Sequence, residues 1–183
     1  ALIRDAEGKK MSKSRGNVMN PLDLIENYGT DALRFTLASL AVPGRDVYLS
    51  EERIEGYRNF INKIWNASRF VLMNLDDFDK DIKPDELKYT LADKWIISRL
   101  NQTIIKVKEG LDKFNFSEVA YLLYSFMWSE FCDWYIELSK TRLYSKEASP
   151  VERQTAQYIL NNVLDNALRL LHPLIPFVAE EIW

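Results

Sequence analysis

Four cations and two hydroxyls crowd the segment Gly8-Lys9-Lys10-Met11-Ser12-Lys13-Ser14-Arg15-Gly16-Asn17. An ammonium buried without a partner loses its hydration, so this segment cannot enter a core and must form an exposed loop. Glycines at both ends let the loop turn sharply. Lysines act as long-reaching point charges on phosphate, while Ser12, Ser14 and free backbone N–H groups add short donors. The chemistry this supports is polyphosphate binding. A solvated basic turn is the bland alternative, and residue types alone favour it.

The elements that must hold this loop are marked by caps. Asp5-Ala6-Glu7-Gly8 carries turn residues, so residues 1 to 17 read as the end of a strand, a tight turn and the loop. Asn20 is an N-cap with Pro21 at the first helical position, and Gly29 stops that short helix. Thr30 is expected to cap a second helix reaching Leu40, before Pro43-Gly44 breaks the chain.

From Ser50 the pattern changes to long amphipathic helices. Ser50 as cap, Glu51 and Glu52 in the first turn, and Ile54, Tyr57, Ile61, Ile64, Trp65 and Leu72 at helical spacing predict a helix to about Leu75. Asp76 to Thr90 is polar, acidic and contains Pro84, so it reads as a linker. A second long helix is expected over Leu91 to Lys113, with Trp95, Leu100, Ile104, Val107 and Leu111 inward. A third begins after Ser117 and runs to about Leu143; its aromatic stripe from Tyr121 to Tyr135 reads as core. Ser149-Pro150-Val151-Glu152 is a capping box opening a fourth, which stops before His172-Pro173, and Phe177 to Trp183 is a last short helix. Long helices joined by short loops make an antiparallel bundle, so the fold class is all-α with a short strand and loop in front.

Composition sets limits. The 183 residues are 47% hydrophobic with five Trp, nine Tyr and nine Phe, enough for one sizeable core. The net charge of −3 gives no bulk reason to bind nucleic acid, so any RNA contact needs a local basic face. One Cys and one His exclude an ordinary zinc site, and no metal ligand set is expected. Cys132 reads as a small core hydrophobe, which fits a reducing compartment. No apolar run is long enough to span a bilayer, and Ala1-Leu2-Ile3-Arg4-Asp5 is not a signal peptide.

The order of residues in the loop carries more than their types. Lys10-Met11-Ser12-Lys13-Ser14 is similar to the KMSKS signature of the class I aminoacyl-tRNA synthetases, and Arg15-Gly16-Asn17-Val18 with Asn20-Pro21-Leu22-Asp23-Leu24-Ile25 continues that likeness toward the valine, isoleucine and leucine enzymes. Gly56 to Phe60, Asn62 to Phe70 and Trp128 to Glu137 most resemble the valine-specific branch, and His172 to Phe177 with Glu180 to Trp183 is shared more widely. The resemblance is weakest at about 76 to 90 and 144 to 157.

The resemblance implies that the loop closes over ATP, with magnesium, while an amino acid carboxylate attacks the α-phosphate. Lys10 and Lys13 would then be catalytic, and Lys10, Met11, Ser12, Lys13 and Ser14 would form the ATP site, with Met11 anchoring the loop. Lys9 and Arg15 are left as solvated charges. It also implies a division into residues 1–48, the end of a catalytic domain, and 49–183, an anticodon-binding bundle for tRNA(Val). The candidate RNA face is Arg53, Arg58, Asn59, Lys63, Asn66 and Arg69, with Phe70 able to stack on a base although core packing suits it better. Asp133 and Glu137 are expected to pair cations across the bundle, His172 to end a helix, and Glu180 and Glu181 to be solvated. The family's nucleotide-binding sheet, its His-Ile-Gly-His element and its editing domain have no counterpart here. The chain is therefore expected to be a piece of a longer, cytoplasmic, monomeric enzyme that does not activate valine by itself. Isoleucine or leucine specificity, or a non-catalytic helical RNA-binding or assembly module, are the alternatives.

Overall fold

The computed structural model describes residues 2–183; residue 1, the start of the expected strand, lies outside them. Strand β1 (Ile3–Arg4) pairs in parallel with β2 (Val47–Tyr48), Ile3 opposite Val47 and Arg4 opposite Tyr48. Between them come the loop, α1 (Pro21–Tyr28) and α2 (Thr30–Leu40). The bundle follows as α3 (Glu51–Met73), α4 (Leu91–Asp112), α5 (Phe116–Ser125), α6 (Ile136–Tyr144), α7 (Pro150–Leu171) and α8 (Pro176–Ile182).

The caps do what their chemistry demands. The Asn20 carboxamide accepts from Leu22 N–H at 3.2 Å with Pro21 at the first position, and Gly29 ends α1 at φ 88°. Ser50 accepts from Arg53 N–H, and Thr90 with Asp93 and Ser149 with Glu152 close reciprocal capping boxes. Thr30 is itself the first residue of α2; the cap position falls on Gly29, which has no side chain to bond.

Two features depart from the sequence reading. The third long helix is continuous, but Phe126–Tyr135 between α5 and α6 is π-helical. The aromatic stripe splits accordingly: Phe126, Phe131 and Tyr135 are buried, whereas Tyr121 and Trp134 face solvent. The segment expected to be a linker is instead strapped to α7. Asp77 accepts from Arg153 and Gln157, Asp79 N–H donates to Gln154, Lys88 N–H donates to Thr155, and Leu87 is buried.

The core is a large cluster drawn from α2 to α8 and a smaller one of Leu24, Ala32, Leu33, Leu49 and Ile54 under the loop. Helix α2 belongs to both, because Ala32 and Leu33 face the small cluster and Phe35 the large one. An aromatic chain continues from Phe35 to Phe60 (5.2 Å), Tyr124 (4.7 Å) and Trp128 (5.5 Å, stacked), so the loop-bearing end and the bundle share one packed interior.

Candidate functional site

The root of the loop is a braced turn. Arg4 bridges to Lys10 across an antiparallel pair and salt-bridges Asp46, just before β2, at 2.5 Å. The turn closes with Gly8 N–H on Asp5 C=O at 3.0 Å. Gly8 sits at φ +80°, and a Cβ there would approach the Tyr48 ring to 3.0 Å, so the position needs glycine twice over. The Asp5 carboxylate accepts from Lys9 N–H at 2.7 Å and Glu7 N–H at 3.1 Å. Its carboxyl is held below the ordinary range chiefly by the Asn17 carboxamide; burial opposes this, and the Lys9 and Glu7 backbone donors add to the lowering.

Beyond the turn, Lys13–Arg15 form one 3-10 turn that ends in left-handed Gly16, and the Ser12 and Ser14 hydroxyls lie 3.2 Å apart. Met11 is half-buried and packs against the small cluster of Leu24, Ala32, Leu33, Leu49 and Ile54. Lys10 and Lys13 are exposed, and among the described residues neither pairs with a carboxylate. Lys9 pairs with Glu7 at 2.5 Å. An open concavity of about 1070 Å³ beside the loop is edged by Lys9, Arg15, Asn17, Asp5, Asp23 and Glu51; Lys10 and Lys13 stand outside it. What the loop offers is two unneutralised ammonium groups on a turn whose base is fixed.

The second candidate surface runs along α3. Arg53 stands near its start, while Arg58, Asn59, Asn66 and Arg69 point to one side. Arg58 pairs with Glu55 at 2.9 Å and lies 5.6 Å from the Tyr28 ring. Lys63 turns toward the bundle, where it pairs with Asp133 at 2.5 Å and sits 3.8 Å over Trp128. Phe70 is half-buried: it packs against the core while Tyr144 meets it edge-on at 6.5 Å and the Lys140 ammonium lies 5.5 Å from its ring. Tyr144 and Lys140 belong to this surface but were not legible in the sequence, since they come from α6, about 70 positions away.

The remaining expectations resolve separately. Glu137 pairs with Lys140 on its own helix at 2.6 Å, not across the bundle. His172 caps the end of α7 and meets Glu180 at 2.7 Å, and both Glu180 and Glu181 are exposed, as expected. Burial pushes the Cys132 thiol up to about 12, with Lys63 opposing the rise. No group of three or more His, Cys, Asp or Glu among the described residues is arranged to hold a metal ion. No helix of the described residues is long and apolar enough to cross a membrane.

A profile for tRNA synthetases class I (I, L, M and V) matches residues 1–50, and one for the anticodon-binding domain of tRNA ligase matches residues 93–183. The chain is 58% identical to the valine–tRNA ligase of Syntrophotalea carbinolica and 52% identical to that of Aquifex aeolicus, along its whole length in both cases. It spans 20% and 16% of those two proteins. Methionyl-tRNA synthetase of Mycobacterium tuberculosis with methionyl-adenylate superposes on 99% of the chain and 36% of its own length, with a TM-score of 0.79 at 24% identity. The ternary complex of Agrobacterium radiobacter K84 LeuRS with tRNA and LeuAMS covers all of the chain and 21% of its own, with a TM-score of 0.72 at 23% identity. These two likenesses speak for the fold.

Proposed function

The chain belongs to the class I aminoacyl-tRNA synthetases, and from that membership we propose that it forms the cationic-loop and anticodon-binding part of a cytoplasmic, monomeric valine–tRNA ligase. The observation that carries the reading is the pair of exposed, unneutralised ammonium groups of Lys10 and Lys13 on a turn braced by Arg4, Asp46 and Met11. In the proposed reaction a carboxylate oxygen of valine attacks the α-phosphorus of ATP. The bond from that phosphorus to the bridging oxygen breaks, and pyrophosphate leaves with the electron pair. Negative charge gathers on the phosphate oxygens in the transition state, so cations held there lower its energy more than that of bound ATP. Met11, Ser12 and Ser14 complete the ATP site as anchor and donors. A terminal hydroxyl of the tRNA then attacks the acyl carbon, and AMP departs. Magnesium would arrive on the triphosphate; among the described residues no group of three or more His, Cys, Asp or Glu is arranged to hold it.

The likeness of residues 93–183 to an anticodon-binding domain supports assigning tRNA recognition to the bundle, and the match ending at residue 50 supports a division near residue 48. Arg53, Arg58, Asn59, Asn66, Arg69 and Phe70 are the residues we assign to the anticodon arm of tRNA(Val); Lys63, expected from the sequence to join them, is set aside because it is held by Asp133 and Trp128. Identities of 50–58% to valine–tRNA ligases favour valine over isoleucine or leucine. A buried, unpaired Cys132 is consistent with the cytoplasm.

The test is Lys13→Ala in the full-length ligase. Valine-dependent pyrophosphate exchange should slow about 100-fold while tRNA affinity stays near normal. Exchange at the unmodified rate refutes the role of the loop. The 183-residue chain alone should show no exchange, because its described residues contain only the two-stranded β1–β2 pair as sheet.

A further inference from the structure

We propose that Asn17 is a positioning residue for the cationic loop, holding it on the Asp5 turn through both ends of one carboxamide. The Asn17 oxygen accepts from Ser12 N–H at 2.9 Å, and its nitrogen donates to Asp5 Oδ2 at 2.8 Å and lies 3.4 Å from the Lys10 carbonyl. The other oxygen of Asp5 takes Lys9 N–H at 2.7 Å. Carboxylate and carboxamide together therefore grip the chain on both sides of Lys10-Met11. Asp5 is fixed in turn by the Arg4–Asp46 pair and the β1–β2 pairing. Asn17 carries no charge, so its contribution is geometric.

The physical need is clear. A segment with four like charges and two glycines loses much conformational freedom when it is ordered, and the charges repel one another as they gather. A cation stabilises a transition state only when it is already held where charge develops. Asn17 supplies that order before any nucleotide arrives. Ser12 N–H, spent on Asn17, is then unavailable as a phosphate donor, which leaves the hydroxyls and ammonium groups to face the ligand.

This inference rests on the loop acting in adenylate formation, and the experiment separates the two. In the 183-residue chain, Asn17→Ala should accelerate amide exchange of Ser12 about tenfold, read by NMR, without moving the thermal midpoint. In the full-length ligase the same change should lower kcat for pyrophosphate exchange about tenfold and leave tRNA affinity unaltered. Asn17→Asp sets two carboxylates against each other and should be at least as slow. The reciprocal swap, Asp5→Asn with Asn17→Asp, rebuilds the pattern. The carboxylate at 17 accepts from Ser12 N–H and from the carboxamide at 5, whose oxygen still accepts from Lys9 N–H. It should recover most of both readouts, which general damage to the fold would not. Native Ser12 exchange in Asn17→Ala, or a swap no better than Asn17→Asp, overturns the proposal. If Lys13→Ala proves fully active the reading of the loop fails, while Ser12 exchange still decides the role of Asn17.

Discussion

Arg142 holds Asp93 in a bidentate grip, 2.6 and 2.8 Å across its two nitrogens, with the carboxylate fully shut off from solvent. Tyr135 O–H adds a bond at 2.6 Å and Thr90 closes the capping box on the same carboxylate. The start of α4, the end of the π-helical segment and α6 are thereby fixed to one point. Burial alone would raise the Asp93 carboxyl, but Arg142, Tyr135 and Thr90 outweigh it and hold it below the ordinary range.

Asp93→Asn leaves the Arg142 charge in a largely buried place without a counterion. Unfolding free energy should fall by about 3–5 kcal/mol, measured by urea denaturation. By contrast, Lys63→Ala breaks a partly exposed pair and should cost less than about 1 kcal/mol from the lost ion pair. Equal losses in the two variants would contradict the assignment of Asp93 as a structural hub.

Acid should loosen the strap between residues 76 and 90 and α7. Arg153 and then Gln157 hold the Asp77 carboxyl at about 2, below its unfolded value of 3.8. A depressed carboxyl contributes stability that is fully present above pH about 4 and is lost as pH falls through the folded value. Asp93 acts in the same direction. The thermal midpoint should therefore drop between pH about 4 and about 2, and Asp77→Asn should make that drop shallower. A midpoint that does not change over this range would show that neither carboxyl is held as described.

Gly110 lies inside α4, where alanine normally stabilises a helix by about 1 kcal/mol. Here a Cβ would come within 2.7 Å of Val119 Cγ2, because α4 and α5 approach closely. Gly110→Ala should destabilise by about 1–2 kcal/mol on overpacking grounds. The same substitution in a Val119→Ala background should be less harmful than in the native one. Thermal unfolding of the four proteins checks this.

A thiol reagent should barely touch the native protein. Burial pushes Cys132 up to about 12, so almost no thiolate exists at pH 8. Modification should be at least about 100-fold slower folded than in denaturant, followed by absorbance of the released thiolate. Equal rates would mean that Cys132 is open to solvent.

Local chemistry made much of the fold legible. The capping boxes at Thr90 and Ser149, the Asn20-Pro21 start and the Ser50 cap are short-range devices, and the elements begin at or within a residue of where those residues stand. Residues 76–90 misled because a polar, proline-containing run looks the same whether it is free or strapped, and the strap is made by Arg153, Gln154 and Gln157 about 75 positions away.

The sequence by itself determined the exposed cationic loop, the helical spacing of the core and the family likeness, since charge burial, helix caps and residue order act within a few positions. Only the tertiary structure decided that Lys63 is spent on Asp133 and Trp128, that Tyr144 and Lys140 join Phe70, and that Asn17 folds back on Asp5. Partner choice depends on which side chains the packed helices and turns bring within about 3 Å, and that distance is set by the whole core, not by neighbours along the chain.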